Sequence, residues 1–517
     1  MTPTITVSNA AVTDIIRSST IAGASGMTMN GPGTLEILNG ANTYTGTTTI
    51  TAGGTIYVYQ VFLGTSGVAG ALGAAVTATN NVVLDGGTIK VDPTGSMTAC
   101  DRGITITQNG GTIWDSNNSS TSRYLDWSGN ITTSGNGNRT LTVKNAHTSQ
   151  TSAGHNTLSG TITDDGVNKL ALTYIGSTGD RFYLNGVAKA YSGDTTVQSG
   201  NLWIDGGDNF LPYGAGKGDV YINSGATILS YGRNLNINGL NDGSGGGGTF
   251  TQNQSTVKTL TVGNGNASGS FSGAITAKFN LTKTGGGTET LSGANTYSGT
   301  TTVSGGTLKI TGNGLSASST IIDVASGNFD VSTITGGTCT LASGVTIRGN
   351  GTVLGNLSVQ GTLAPGESAG QLTVNGNVTL SGNYQAEING DVAGTSYDQL
   401  LVTGSNHTVT LGGTLTVSDA SYTPVSTDMF WVVLNNDPSN TLSGVFSNYA
   451  TSGSPITGIT ALAGYAVYYN ADSTTNSLTG GNDVVIALVP EPATLTMLFT
   501  ALAAMGGLTI VRKQRSK

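Results

Sequence analysis

Gly366-Glu367-Ser368-Ala369-Gly370 has the Gly-x-Ser-x-Gly form of a nucleophile elbow, which exposes a serine on a sharp turn from a strand into a helix. Here Pro365-Gly366 reads as a turn and Gln371-Leu372-Thr373-Val374 continues as a strand, so Ser368 is expected on a turn between two strands. Gly214-Ala215-Gly216-Lys217-Gly218 has the glycines and lysine of a phosphate loop, yet lacks both the following Ser/Thr and a helix; Lys217 is expected as a solvated lysine. His147, His155 and His407 show no zinc spacing, and the isolated pair His147 and His155, eight residues apart, is expected at the surface. The best carboxylate pairs for cleaving a glycosidic bond are Asp164 with Asp165 and Asp205 with Asp208, but each sits in a turn-like stretch where aspartate serves the backbone. Tandem Gly-Gly-x-Gly-x-Asp calcium repeats are absent. Cys100 and Cys339 make no metal-ligand pair, and one disulfide between them stays open as a possibility. No catalytic, metal or cofactor site follows from these residues, and the chain reads as a non-enzyme.

The elements that would have to position such groups are strands. Of 517 residues 80 are glycine and only 9 % are charged, a balance unlike that of disordered chains, which are rich in Lys, Glu and Pro. Thr, Val, Ile and Leu fill short apolar runs, with Gly, Asn, Ser and Asp between them where turns are needed. No segment before residue 490 keeps a helical period over three turns. The net charge is −8, and residues 490–517 supply four of the 20 basic and one of the 28 acidic residues, leaving the remainder more acidic still. That balance speaks against nucleic acid and anionic membrane surfaces as partners, since both reward basic patches.

The body repeats itself. Gly40-Ala41-Asn42-Thr43-Tyr44-Thr45-Gly46-Thr47-Thr48-Thr49-Ile50 recurs as Gly293-Ala294-Asn295-Thr296-Tyr297-Ser298-Gly299-Thr300-Thr301-Thr302-Val303. Each copy leads into a Gly-Thr-apolar strand, Gly54-Thr55-Ile56 and Gly306-Thr307-Leu308. An eroded third copy runs from Ala190-Tyr191-Ser192-Gly193 to Asn201-Leu202-Trp203-Ile204. Such a unit gives two short strands with alternate apolar residues around a Gly/Ser turn, and neither strand can bury its apolar face alone. Stacked coils would bury one continuous column, so the expected fold is all-β, a right-handed parallel β-helix or β-solenoid. With roughly 22 residues per coil and ~4.8 Å per step, about 20 coils would make a rod on the order of 100 Å. The repeated tyrosine is expected to pack on the turn or stack with a neighbour. These copies resemble the autotransporter-associated β-strand repeat, also called the passenger-associated transport repeat, of bacterial surface proteins. Gly361-Thr362-Leu363-Ala364-Pro365-Gly366, Tyr397-Asp398-Gln399-Leu400 and Gly413-Thr414-Leu415 resemble the C-terminal region of such passengers. The residues after 420 are too few for the translocator barrel usual there, so self-transport is not implied.

The C-terminus is different in kind. Pro490, Glu491 and Pro492 precede an uncharged apolar run over 493–511, followed by Arg512, Lys513, Arg515 and Lys517. As a helix the run would span about 28 Å, against the ~30 Å hydrocarbon core of a bilayer. The basic cluster would stay on the cytoplasmic side and leave the body outside. Thr494, Thr496, Thr500, Thr509 and the Gly506-Gly507 pair make it a weak span, suited to brief anchoring. Tripeptide, apolar helix and basic end together resemble the PEP-CTERM sorting signal of Gram-negative bacteria. The resemblance implies recognition of Pro490-Glu491-Pro492 by an exosortase, a single transmembrane-type helix held before processing, and association with exopolysaccharide and biofilm. Residues 1–25 show no basic-then-apolar leader, and a start upstream of Met1 is expected. The organisation expected is a solenoid over 1–310 with copies near 33–58, 190–204 and 287–310, its C-terminal part over 311–420, a less regular β cap or linker over 421–488, and the sorting signal over 489–517. The function expected is that of an exported surface or matrix protein; a cell-surface adhesin and a carbohydrate-active β-helix enzyme are the rivals.

Overall fold

The computed structural model describes residues 3–59, 63–75, 81–92, 99–117, 124–147, 156–315, 319–418 and 422–490. Among these the chain is all-β, with two single-turn 3-10 segments at Asn264–Asn266 and Thr460–Leu462. It divides into two compact units, one of Met1–Cys339 with Gly344–Asn356, the other of Thr340–Ser343 with Leu357–Lys517.

In the first unit every strand pair is parallel, and each strand lies beside the one that follows it a full coil later. Among the described residues this gives parallel sheets of six, ten and seven strands that lie wholly in the unit. One register runs through eight strands without a break: Leu35, Ile56, Ile89, Ile113, Val143, Tyr174, Val197 and Ile222 are successive partners. All eight are buried. Their neighbours point the other way, because successive side chains of a strand alternate between faces. That outer file is Thr13, Thr34, Thr55, Thr88, Thr112, Thr142, Thr173 and Thr196, threonine on threonine across eight of the sheet's ten strands. Apolar alternation fixes the register, since a one-residue slip would turn the inner file outward.

The coils are less even than a 22-residue repeat implies. From Leu35 to Ile56 the chain advances 21 residues, and from Ile56 to Ile89 it advances 33. The strands hold their pairing while the connections between them lengthen, and extra connection length costs little closure entropy.

The second unit begins the same way. Leu357–Val359 pairs parallel with Val378–Leu380, which pairs with Thr408–Leu411 and then Thr441–Gly444. Gln371–Asn375, Gln399–Thr403 and Met429–Asn435 form a second parallel file. The pattern then changes. Met429–Asn435 takes Asp483–Leu488 antiparallel on its far side, and Asp483–Leu488 pairs antiparallel with Tyr465–Ala471. Phe430 to Val433 and Val484 to Ala487 are buried at consecutive positions, so these strands are covered on both faces. One face carries a cluster of Trp431, Ala466, Tyr468, Ala471, Val485 and Ala487.

Among the described residues no helix is long and apolar enough to cross a membrane. The apolar run over 493–511 lies outside them, as do Glu491, Pro492, Arg512, Lys513, Arg515 and Lys517. Pro490 is exposed, two residues beyond the last strand.

Candidate functional site

The repeat explains itself once its side chains are placed. Tyr44, Tyr191 and Tyr297 are fully buried, and each shares a hydrogen bond with the threonine four residues on. The distances are 2.6 Å to Thr48, 2.6 Å to Thr195 and 2.8 Å to Thr301. The ring lies inside the coil, where the strand-opening threonine offers the phenol a partner. Burial pushes the Tyr44 and Tyr297 phenols up to about 12.

The asparagine two residues before the tyrosine stitches coils together. Asn42 Oδ1 accepts from Ile21 N at 2.9 Å, while its Nδ2 donates to Ala71 O at 3.1 Å. Asn295 repeats both bonds, accepting from Ile275 N at 2.8 Å and donating to Gly314 O at 2.7 Å. Each asparagine thus reaches the coil before and the coil after. In the eroded copy Lys189 takes this place. It is buried, donates through Nζ to Gly160 O at 2.6 Å and Asn185 O at 3.0 Å, and lies over the Phe210 ring. Burial lowers its ammonium to about 8. The glycine after the tyrosine is a close-approach residue: a Cβ on Gly299 would lie 2.4 Å from Phe279 O of the preceding coil.

The residues with catalytic potential are dispersed and occupied. Ser368 is exposed on a turn between Thr362–Pro365 and Gln371–Asn375, with no helix after it. That turn is pinned by Asp398, whose carboxylate accepts from Gly370 N and Glu387 N, both at 2.8 Å. Lys217 is not a free surface lysine. It is half-buried and donates to Ala190 O at 2.8 Å and Ser192 Oγ at 3.2 Å, latching a turn to the eroded repeat. Asp164 accepts from Gly166 N, Leu170 N, Ser192 N and Ser192 Oγ. Burial works against its charge, but those hydrogen bonds hold it below the usual carboxylate range. Asp165 caps Val167 and Asn168, Asp205 pairs with Arg233 at 3.0 Å, and Asp208 accepts from Asn234 N at 2.9 Å. None of these carboxylates faces a second across a cleft, so they tie turns.

The histidines divide. His155 lies outside the described residues, and His407 sits beside Asn375 at 3.3 Å. His147 is buried, contrary to its expected surface position, because Asp115 waits 3.2 Å away in the core. Asp115 and Asn145 continue an inner file that begins with Ile37, Val58 and Val91. Polar groups therefore replace aliphatic ones at two successive coils, and a network forms around them. Asn156 Nδ2 donates to Asn145 Oδ1 at 2.9 Å, Asn145 Nδ2 lies 3.4 Å from Tyr174 Oη, and Tyr174 donates to Asp180. Burial raises Asp115 despite His147, and pushes Asp180 up to about 7. Cys100 and Cys339 are both free and buried, their thiols pushed up to about 12 by burial, so no disulfide joins them. Among the described residues no group of three or more His, Cys, Asp or Glu is placed to hold a metal.

Sequence reasoning passes over Arg102. Its guanidinium is buried and donates to the carbonyls of Leu63, Gly64, Thr65, Val68, Leu72 and Gly73, holding one long connection closed. It also passes over an outer file in which Lys90 Nζ lies 4.3 Å from the Tyr57 ring centre and 4.8 Å from that of Trp114. The strand alternation of Thr88–Asp92 and Gly111–Asp115 puts these side chains outward and could have found them. The surface that these strands present is thus a threonine ladder flanked by aromatic and lysine groups.

A family model described as Passenger-associated-transport-repeat matches residues 27–58, 180–204 and 281–310. Each match contains one of the three buried tyrosines. Among curated proteins, the "Adhesin BmaC autotransporter" of Brucella suis biovar 1 (strain 1330) is 30% identical over 258 residues. That alignment takes in 50% of this chain and 6% of the relative, so the chain spans a small part of the length of the protein it matches.

Proposed function

We propose that this chain is an exported, non-catalytic cell-surface or extracellular-matrix protein of a Gram-negative bacterium, with a right-handed β-solenoid body that serves as scaffold and contact surface. The observation that carries the reading is the coincidence of three passenger-repeat matches with three coils locked by the same buried Tyr–Thr pair. Right-handed winding is the hand that parallel crossovers take in nearly all sheets. The low charge of the outer threonine file suits weak, repeated hydrogen bonding to exopolysaccharide, and gives nucleic acid nothing to hold. Pro490, Glu491 and Pro492 act in this reading as an exosortase recognition motif, the run over 493–511 as a transient inner-membrane anchor, and Arg512, Lys513, Arg515 and Lys517 as its cytoplasmic stop. Deleting residues 490–517 tests the sorting: cell-surface and matrix fractions are expected to lose the protein. Unchanged retention would remove the sorting signal from the account.

The named adhesin relative favours a second reading, in which the same surface attaches cells. Binding to whole cells, with none to purified matrix polysaccharide, would select it.

A further inference from the structure

We propose that the second unit carries a saccharide-binding cleft, with an uncharged, hydroxyl-rich sugar chain as its ligand. The cleft has a volume of about 650 Å³ and lies between the turn that follows Met429–Asn435 and the connection from Tyr465–Ala471 to Asp483–Leu488. Its size is within the range of small-ligand sites.

The lining chemistry selects the ligand. Asn436 and Asn470 are exposed in the cleft wall, and their side-chain amides make no hydrogen bond within the protein. Asn435 also lines it; this residue is only 4% exposed, and its Oδ1 accepts no hydrogen bond. A buried amide oxygen without a partner is costly, and an adjoining hydroxyl donor would relieve it. Most other polar groups there are already engaged. Asp483 accepts from Asn435 N at 2.8 Å and Ser473 N at 3.0 Å, and Asn482 Nδ2 donates to Asp437 O at 2.9 Å and Asn440 O at 3.0 Å. These bonds fix the walls and leave the amides of Asn436 and Asn470 for a ligand. An amide both donates and accepts, which matches sugar hydroxyls that do the same. Asp437, Asp472 and Asp483 line the cleft and no lysine or arginine does, so a uronate or sulfated sugar would meet repulsion without compensation. The inference deepens the proposed surface function and rests on it only for where the ligand would be met.

Isothermal titration of the full chain with a neutral β-glucan hexasaccharide, a chitin hexasaccharide and hexagalacturonate tests the site, each with and without EDTA. At least one neutral chain is expected to bind and hexagalacturonate is not. Asn436→Ala combined with Asn470→Gly should weaken the neutral ligand about tenfold, as expected for two lost hydrogen bonds. Glycine at 470 keeps the φ of 53° free of strain. Val167→Ala, an exposed change in the first unit, should leave binding unchanged. Failure of both neutral chains at millimolar concentration, equal affinity in the double variant with unaltered circular dichroism, or preference for hexagalacturonate would overturn the proposal. Loss of binding in EDTA would also overturn it, by assigning the carboxylates to a cation. The deletion of 490–517 reports on sorting alone, so the two ideas fail separately.

Discussion

Each repeat copy spends its most distinctive side chain on internal order. Tyr191 is buried with Thr195 as its phenol's partner. Tyr191→Phe leaves the Thr195 hydroxyl without that bond and is expected to cost about 1–2 kcal/mol in urea unfolding, whereas Tyr191→Ala also opens a cavity and should cost about 3–5 kcal/mol. Asp180 gives a pH signature. Burial raises its folded pKa to about 7, above the ~3.9 of an unfolded aspartate. Between those values the folded state holds a proton that the unfolded chain has released, so stability falls as pH rises through this window. The fall has an upper bound of about 1.4 kcal/mol per pH unit for this group. Denaturation midpoints from pH 4.5 to 7.5 should show that slope in the wild type and a shallower one in Asp180→Asn. A slope unchanged by the substitution would remove Asp180 as its source.

At the scale of the coil, tight contact is made by backbone against backbone. Gly299 abuts Phe279 O and Asn280 of the coil before it, leaving no space for a Cβ. Gly299→Ala should therefore push the turn outward at a cost of about 1–3 kcal/mol. Hydrogen exchange should quicken first in Thr301–Val303, the strand that leaves this turn and pairs with Phe279–Lys283. Equal exchange across the whole first unit would argue that the coil is more tolerant than its geometry suggests. The β period, the turn glycines and the stacking of one coil on the next were legible in the sequence, because alternation and self-similarity are local. The lengths of individual coils were not, since connections can lengthen without altering any strand's pattern. Lys189 in the place of asparagine was hidden for another reason: a chemically different side chain holds this position by donating to other carbonyls, those of Gly160 and Asn185.

Over the whole chain, charge contributes little. Only four ion pairs occur among the described residues, and one of them, His147 with Asp115, is buried. Arg233–Asp205 and Lys309–Asp330 are partly exposed, worth about 0–1 kcal/mol each, while Arg348 is half-exposed and its partner Asp323 is buried. Raising NaCl from 50 to 500 mM is accordingly expected to move Tm by no more than about 2 °C. A larger drop would mean that long-range electrostatics hold the stack. Backbone ladders and apolar files carry the stability instead.

The sequence by itself determined the strand alternation and the repeated unit, because each is a pattern of neighbours along the chain. It also placed Asp164, Asp165, Asp205 and Asp208 in turns, and the structure finds them tying turns. Only the tertiary structure decided which polar residues turn inward: Asp115 meets His147 across 32 residues, and Arg102 gathers carbonyls from up to 39 residues away. It alone assembled the cleft of Asn435, Asn436 and Asn470, whose members come from separate strands and turns. Such groupings depend on how far each connection carries the chain before it rejoins the stack, and the order of residue types does not encode that distance.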